Sequence, residues 1–175
     1  MKSFSFRPGR GVFIWLALIG AVLPLAIVGG LGAFGEAKIG LGGALLGILV
    51  PVAFALVMAA VIRRNSVTID DRHLVVRSSF YGYDAALSAI DPGSIRAVDL
   101  LFERDWRPRF RTNGVGLPGY RSGWFRLADR SRGFLAVAGR VAIGFRTREG
   151  VTVLVSPAQP EAFEAALRAA LPPAG

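Results

Sequence analysis

TNGVGLPGYRSGWFRL, residues 112–127, holds four glycines, one proline, two arginines and three aromatics in sixteen residues, with no acidic side chain. Phosphate-binding loops use glycine in this way. A P-loop, however, needs GxxxxGK[ST] between a strand and a helix, and a dinucleotide fingerprint needs a helix after its glycines. Here no lysine follows, Pro118 stands where that helix would begin, and Gly123 to Leu127 reads as a strand. Both phosphate readings fail. Framework remains: Gly114, Gly116, Gly119 and Gly123 permit positive φ and close backbone approach. Trp124 and Phe125 point to opposite faces of their strand, so at least one belongs to a core. The stretch reads as a shaped turn linking two sheets, with partner contact as its other use.

The surrounding residues support that reading, because short alternating runs and turn signals flank the stretch on both sides. Val67 to Ile69 and His73 to Ser78 form a hairpin around Asp70-Asp71-Arg72, and Phe80 to Asp84 follows as a third strand. Asp91-Pro92-Gly93 is turn chemistry, after which Ser94 to Phe102 reads as a strand. Trp106 to Thr112 alternates strictly, placing Arg107, Arg109 and Arg111 on one face and Trp106, Pro108 and Phe110 on the other. Pro108 confines this segment to an edge or an irregular extended stretch. Gly133 to Ala138, Val141 to Arg148 and Val151 to Ser156 complete a set of about seven or eight strands, expected as a compact antiparallel sandwich or barrel. The chain ends in a helix. Pro160 suits its first turn, and Phe163, Ala166, Leu167, Ala170 and Leu171 make one apolar stripe.

The N-terminal third has a different texture. Residues 11–34 and 39–62 contain no charged side chain. Each run reaches roughly 36 Å as a helix, enough for a hydrocarbon layer of about 30 Å. A cleaved leader is the other reading of the first run, but its apolar stretch exceeds the usual signal core and a second run follows at once. Lys2, Arg7 and Arg10 precede the first run, Arg63 and Arg64 follow the second, and residues 35–38 between them carry one charge of each sign. The positive-inside rule then gives a cytoplasmic segment 1–10, spans 11–34 and 39–62, an external turn 35–38, and a cytosolic region from Asn65 onward in the inner or plasma membrane. No ionisable group lies within the spans, which excludes the usual ion path or proton relay. Gly43 and Gly47 form a GxxxG pair suited to hairpin packing, Pro24 and Pro51 are candidate kinks, and the spans read as an anchor.

With both flanks in place, the soluble part resembles the bacterial pleckstrin-homology-like (PH) domains that often follow one or two membrane spans. Asn113, Gly114, Gly116, Leu117, Pro118, Gly119, Tyr120, Gly123, Trp124 and Phe125 carry the resemblance, supported by the ending from Ser156 to Leu167. It covers residues 65–171 and leaves 172–175 as a tail. The resemblance implies a mainly β PH-like barrel or sandwich of about seven strands, in two roughly orthogonal antiparallel sheets, capped by a C-terminal α-helix. It implies little about activity, since fold does not settle function. Eukaryotic relatives of the fold often bind phosphoinositides through basic residues of the first hairpin. Here that turn is Asp70-Asp71-Arg72, so the resemblance does not extend to that pocket.

Charge narrows the functional classes. The net charge is +9 and the sequence pI about 11.3, which calls for an acidic partner. Eight arginines against Asp105 and Asp129 lie between residues 104 and 132. Arg63, Arg64, Arg104, Arg107, Arg109, Arg111, Arg121 and Arg126 are the candidate contacts for a lipid or a protein partner. Asn113, Gly114, Gly116, Pro118, Gly119, Tyr120, Gly123 and Trp124 are the candidate framework. A membrane tether weighs against nucleic acid. His73 is the only histidine and there is no cysteine, so thiolate metal sites and a cysteine nucleophile are excluded. No catalytic motif stands out, and no cofactor or small-molecule substrate is expected. The expected function is a membrane-anchored, non-catalytic module that binds or scaffolds a protein partner at the cytoplasmic face. Sensing of anionic headgroups through the arginines is the alternative, with a membrane hydrolase of unrecognised site behind it.

Overall fold

The computed structural model of the chain describes residues 1–6, 8–33 and 40–172. Arg7, the end of the first expected span at Phe34, the expected turn at 35–38, Ile39 and residues 173–175 of the expected tail lie outside them. The chain divides into two compact units, Arg10–Ile62 and Met1–Gly9 together with Arg63–Gly175.

The first unit is helical: α1 (Arg10–Ala17), a π-helical turn (Leu18–Val22), α2 (Leu23–Ala33) and α3 (Leu41–Ile62). The π turn has a local cause. Pro24 offers no N–H to the carbonyl of Gly20, and the Leu23 N–H bonds the carbonyl of Leu18, five residues back. Gly20 is buried there, and a Cβ on it would collide with that of Ala55 on α3. Gly47 of the GxxxG pair also faces the opposite helix, its Cβ position 3.4 Å from Val28 Cγ2. Arg10–Gly30 and Gly42–Ile62 are each long and apolar enough to cross a membrane. Their apolar side chains point outward on all sides: Leu46, Phe54 and Leu56 are 64%, 65% and 66% exposed. Helices that are apolar all round need an apolar surrounding.

The second unit holds ten strands among the described residues, in two sheets. The smaller runs β1 (Lys2–Ser5), β2 (Asn65–Ile69), β3 (His73–Ser78) and β4 (Tyr81–Ala86), in that order. The larger comprises β5 (Arg96–Asp99), β6 (Pro108–Leu117), β7 (Tyr120–Leu127), β8 (Arg132–Ala138), β9 (Val141–Arg146) and β10 (Val151–Val155), ordered β5-β9-β10-β8-β7-β6. Helix α4 (Pro160–Ala170) closes the unit, burying Phe163, Ala166 and Leu167 as its stripe requires.

Several expectations need correction. The expected N-terminal segment 1–10 holds a strand that sequence reasoning did not mark: Lys2–Ser5 pairs antiparallel with β2, Lys2 opposite Ile69. Phe6 is buried in the core behind it, Phe4 meets the ring of Phe163 edge-on at 5.4 Å, and the Ala158 N–H bonds the Ser5 carbonyl. The sheets are not purely antiparallel. β10 inserts between β8 and β9 and runs parallel to β8, Val153 opposite Phe134. The strand expected from Ser94 to Phe102 stops at Asp99, because Asp99 turns the chain. Its carboxylate accepts the Leu101 N–H at 2.9 Å, and its carbonyl accepts those of Phe102 and Glu103.

The larger sheet is buried on both faces along β8, β9 and β10. One face joins β2, β3 and α4 around Val67, Leu74, Phe134, Phe145, Val153 and Phe163. The other carries a second cluster of Val98, Phe125, Leu127, Leu135 and Leu154 under Trp106. Trp106 stands at the end of a short 3₁₀ turn, Arg104–Trp106, and not in a strand. Only glycine fits beneath it: a Cβ on Gly144 would lie 2.6 Å from the Trp106 ring. Double-sided burial explains the near-continuous apolar runs of β8 and β10.

Candidate functional site

Residues 112–127 form a hairpin within the larger sheet, β6 against β7, turned by Pro118-Gly119 with Gly119 at φ +74°. It is therefore not a turn from one sheet to the other. Its side chains nevertheless join the sheets. Tyr120 is fully buried, and its hydroxyl donates to Asn65 Oδ1 at 3.1 Å. That hydroxyl also lies 2.6 Å from Ser79 Oγ and 3.2 Å from Ser78 Oγ, and Ser122 Oγ donates to the Ser78 carbonyl at 2.8 Å. The β3–β4 turn, with Ser79 at φ +53°, is thus held to β7. Gly123 sits at φ +103°, and a Cβ on it would come within 2.6 Å of the Asn113 carbonyl. A Cβ on Gly114 would meet the Ser122 carbonyl at 2.5 Å. Gly116 differs: nothing lies within 4 Å of its Cβ position, and its φ is ordinary.

Trp124 is half-buried opposite Asn113, edge-on to Tyr83 and Phe134, with the Arg132 guanidinium 3.8 Å from its ring centre. Phe125 points to the other face and is buried, as the opposed pair requires. Burial pushes the Tyr83 hydroxyl above the usual phenol range.

The arginines are dispersed more than their spacing implies. Two register shifts, between Pro108 and Phe110 and between Arg111 and Asn113, interrupt β6, so the strict alternation of Arg107, Arg109 and Arg111 is lost. Arg107 precedes the strand, and its Nε donates to the Leu100 carbonyl at 2.9 Å. Arg126 gives Nη1 to the Arg130 carbonyl at 3.0 Å. Arg104 is exposed on the 3₁₀ turn, while Arg63 and Arg64 lead into β2 in the other sheet. Arg109 and Arg111 are exposed on β6 and Arg121 is partly exposed on β7. Among the described residues none of these three has a carboxylate partner.

Other arginines of the unit are paired: Arg96 with Glu103, Arg140 with Asp99, Arg146 with Asp129 and Arg168 with Glu164. The hydrogen bond from Arg140 holds the Asp99 carboxyl below the ordinary carboxylate range and raises the Arg140 guanidinium in return. Arg96 and Arg146 also lie against Trp106, each 5.2 Å from its ring centre, beside a cleft of 390 Å³ that includes Ser94 and Asp105. Trp106 escaped sequence reasoning as a core residue, since only the folded loop shows what it covers. A second cleft, of 410 Å³, lies between the β2–β3 turn and α4, with Arg72, His73, Ser88 and Ala170 in its wall. Asp70 builds that turn. Its carboxylate accepts the Arg72 and His73 N–H groups, which hold it below the usual range. Among the described residues no group of three His, Cys, Asp or Glu side chains could hold a metal ion.

A family model described as a bacterial PH domain matches residues 65–171. No curated protein and no solved structure matches the chain. The matched range begins at β2, so β1 completes the smaller sheet from outside it.

Proposed function

This chain belongs to the bacterial PH domain family, and from that membership we propose a membrane-anchored, non-catalytic module that engages a protein partner at the cytoplasmic face. One observation carries the anchoring. The helical unit is inserted in the chain between β1 and β2, which are antiparallel neighbours in one sheet. Both ends of the hairpin belong to one folded domain, which supports a reading with that domain on one side of the bilayer. A leader removed after the first helix would take β1 with it. The charge pattern, Lys2, Arg7 and Arg10 before the helices and Arg63 and Arg64 after them, favours the cytoplasm as that side.

The chain lacks cysteine, so single cysteines report topology cleanly. In intact cells an impermeant maleimide should label Glu36→Cys, while Ser3→Cys and Ser88→Cys react only after permeabilisation. Labelling of Ser3→Cys and Ser88→Cys from opposite sides would refute the anchor. A photo-crosslinker at Phe80, Phe102 or Phe110, each more than 60% exposed, should then trap a discrete protein adduct in native membranes. Failure at all three positions would remove the partner reading.

A second reading is contact with anionic lipid, favoured by the absence of carboxylate partners on Arg109, Arg111 and Arg121. Each basic residue near such a surface contributes about 1 kcal/mol. Its mark is salt-sensitive slowing of amide exchange over residues 104–126 in anionic, but not zwitterionic, nanodiscs.

A further inference from the structure

The open edge of β6 follows from the sheet order, because among the described residues β6 is the last strand and pairs only with β7. Long exposed edges invite another strand, and proteins blunt them with proline, charge and bulges. Those devices occupy one half of β6. Pro108, Arg109, Arg111 and both register shifts fall between residues 108 and 113. From Asn113 to Leu117 the register is continuous and there is neither charge nor proline. That half is unguarded.

Its face is open at Gly116. Directly opposed residues of an antiparallel pair share a face. Arg111 opposes Phe125, Gly114 opposes Gly123 and Gly116 opposes Arg121. On that face Gly116 stands open opposite Arg121, with the Phe125 ring against Gly114 and Arg111 beyond it. Gly114 is required by its crowded surroundings, but Gly116 is not: it is exposed, has an ordinary φ and has nothing within 4 Å of its Cβ position. A glycine weakens a strand, and the fold itself gives no reason for this one.

We propose that the Asn113–Leu117 edge of β6 receives an extended acidic segment of a partner protein as an added strand, its carboxylates on the face of Arg111 and Arg121. Charge complementarity selects the occupant, since these two guanidiniums lack carboxylate partners among the described residues and arginine matches a carboxylate fork to fork. The free main-chain groups of the edge select its conformation. A lipid headgroup would meet the charges and leave those groups unmatched. The site rests on the partner-binding function proposed above and specifies where and what the partner is.

The test uses the full chain in zwitterionic nanodiscs with a labelled, end-blocked decapeptide of alternating Glu and Val. It should bind with salt-sensitive affinity and slow amide exchange at residues 113–117. Arg111→Glu with Arg121→Glu should weaken binding by about tenfold or more, and peptide N-methylated at alternate residues should lose it. Three results overturn the proposal: no binding at low salt, equal binding of the N-methylated peptide, or protection at another edge. Protection of residues 113–117 by anionic nanodiscs alone would reassign the site to lipid. In native membranes, a protein adduct from Phe80 or Phe102 with none from Phe110 removes this site and leaves partner binding standing. Absence of adducts from all three removes both.

Discussion

At the scale of single residues, the glycines of 112–127 divide by what surrounds them. Gly123 combines φ +103° with a carbonyl 2.6 Å from its Cβ position, so it is irreplaceable on two counts. Gly116 is constrained on neither. Gly123→Ala should therefore destabilise the β-domain by about 1–3 kcal/mol, while Gly116→Ala should be neutral or stabilise by up to about 1 kcal/mol. Chemical unfolding of the full chain in detergent checks both, and equal losses would refute the distinction. Sequence marked all four glycines as framework without ranking them. Positive φ and crowding arise only once β6 lies against β7. The opposed faces of Trp124 and Phe125 were legible, because strand alternation is local. The fate of Arg107 was not, since its partner is a carbonyl on a loop whose path the tertiary fold sets.

At the scale of elements, turn chemistry located the turns but did not say which strands meet. Gly139-Arg140 marks the link between β8 and β9, yet β10 lies between those strands. Asp99 shows how one side chain ends an element. It caps the turn after β5 and pairs with Arg140, whose guanidinium also lies 4.8 Å from the Phe102 ring centre. Arg140, then the Leu101 N–H, hold the Asp99 carboxyl below its ordinary value near 3.9. A carboxylate with a lowered folded-state pKa contributes its full stability above the unfolded value and loses it as pH falls through the folded value. The gap in unfolding midpoint between wild type and Asp99→Asn should thus be widest near neutral pH and narrow below about pH 4. A gap that stays constant to about pH 2 would refute the assignment.

At the scale of the whole molecule, the helical hairpin is an insertion between two paired strands. A fragment of residues 65–175 lacks β1 and Phe6, exposing the β2 edge and opening the core beside Phe163. It should be less stable than a chain in which Met1–Gly9 is joined by a flexible linker to Arg63 and the residues after it. Losing the Phe6 side chain alone costs about 3–5 kcal/mol. Equal unfolding midpoints for fragment and linked chain would show that β1 is dispensable. Composition and local period determined a great deal by themselves: two helices long and apolar enough for a membrane, and a strand-rich domain from Asn65 with a C-terminal amphipathic helix. These follow from hydrophobicity and side-chain direction, which are properties of neighbours in the chain. Only the tertiary structure decided the rest. Lys2–Ser5 is too short and polar to announce a strand, and its partner lies some sixty residues away. The β8–β10 parallel pair, the cover of Trp106 over Gly144 and the open edge of β6 likewise depend on contacts between distant segments. Such contacts form only when their summed burial and hydrogen bonding exceed the entropy of closing the intervening loops, and no single stretch records that balance.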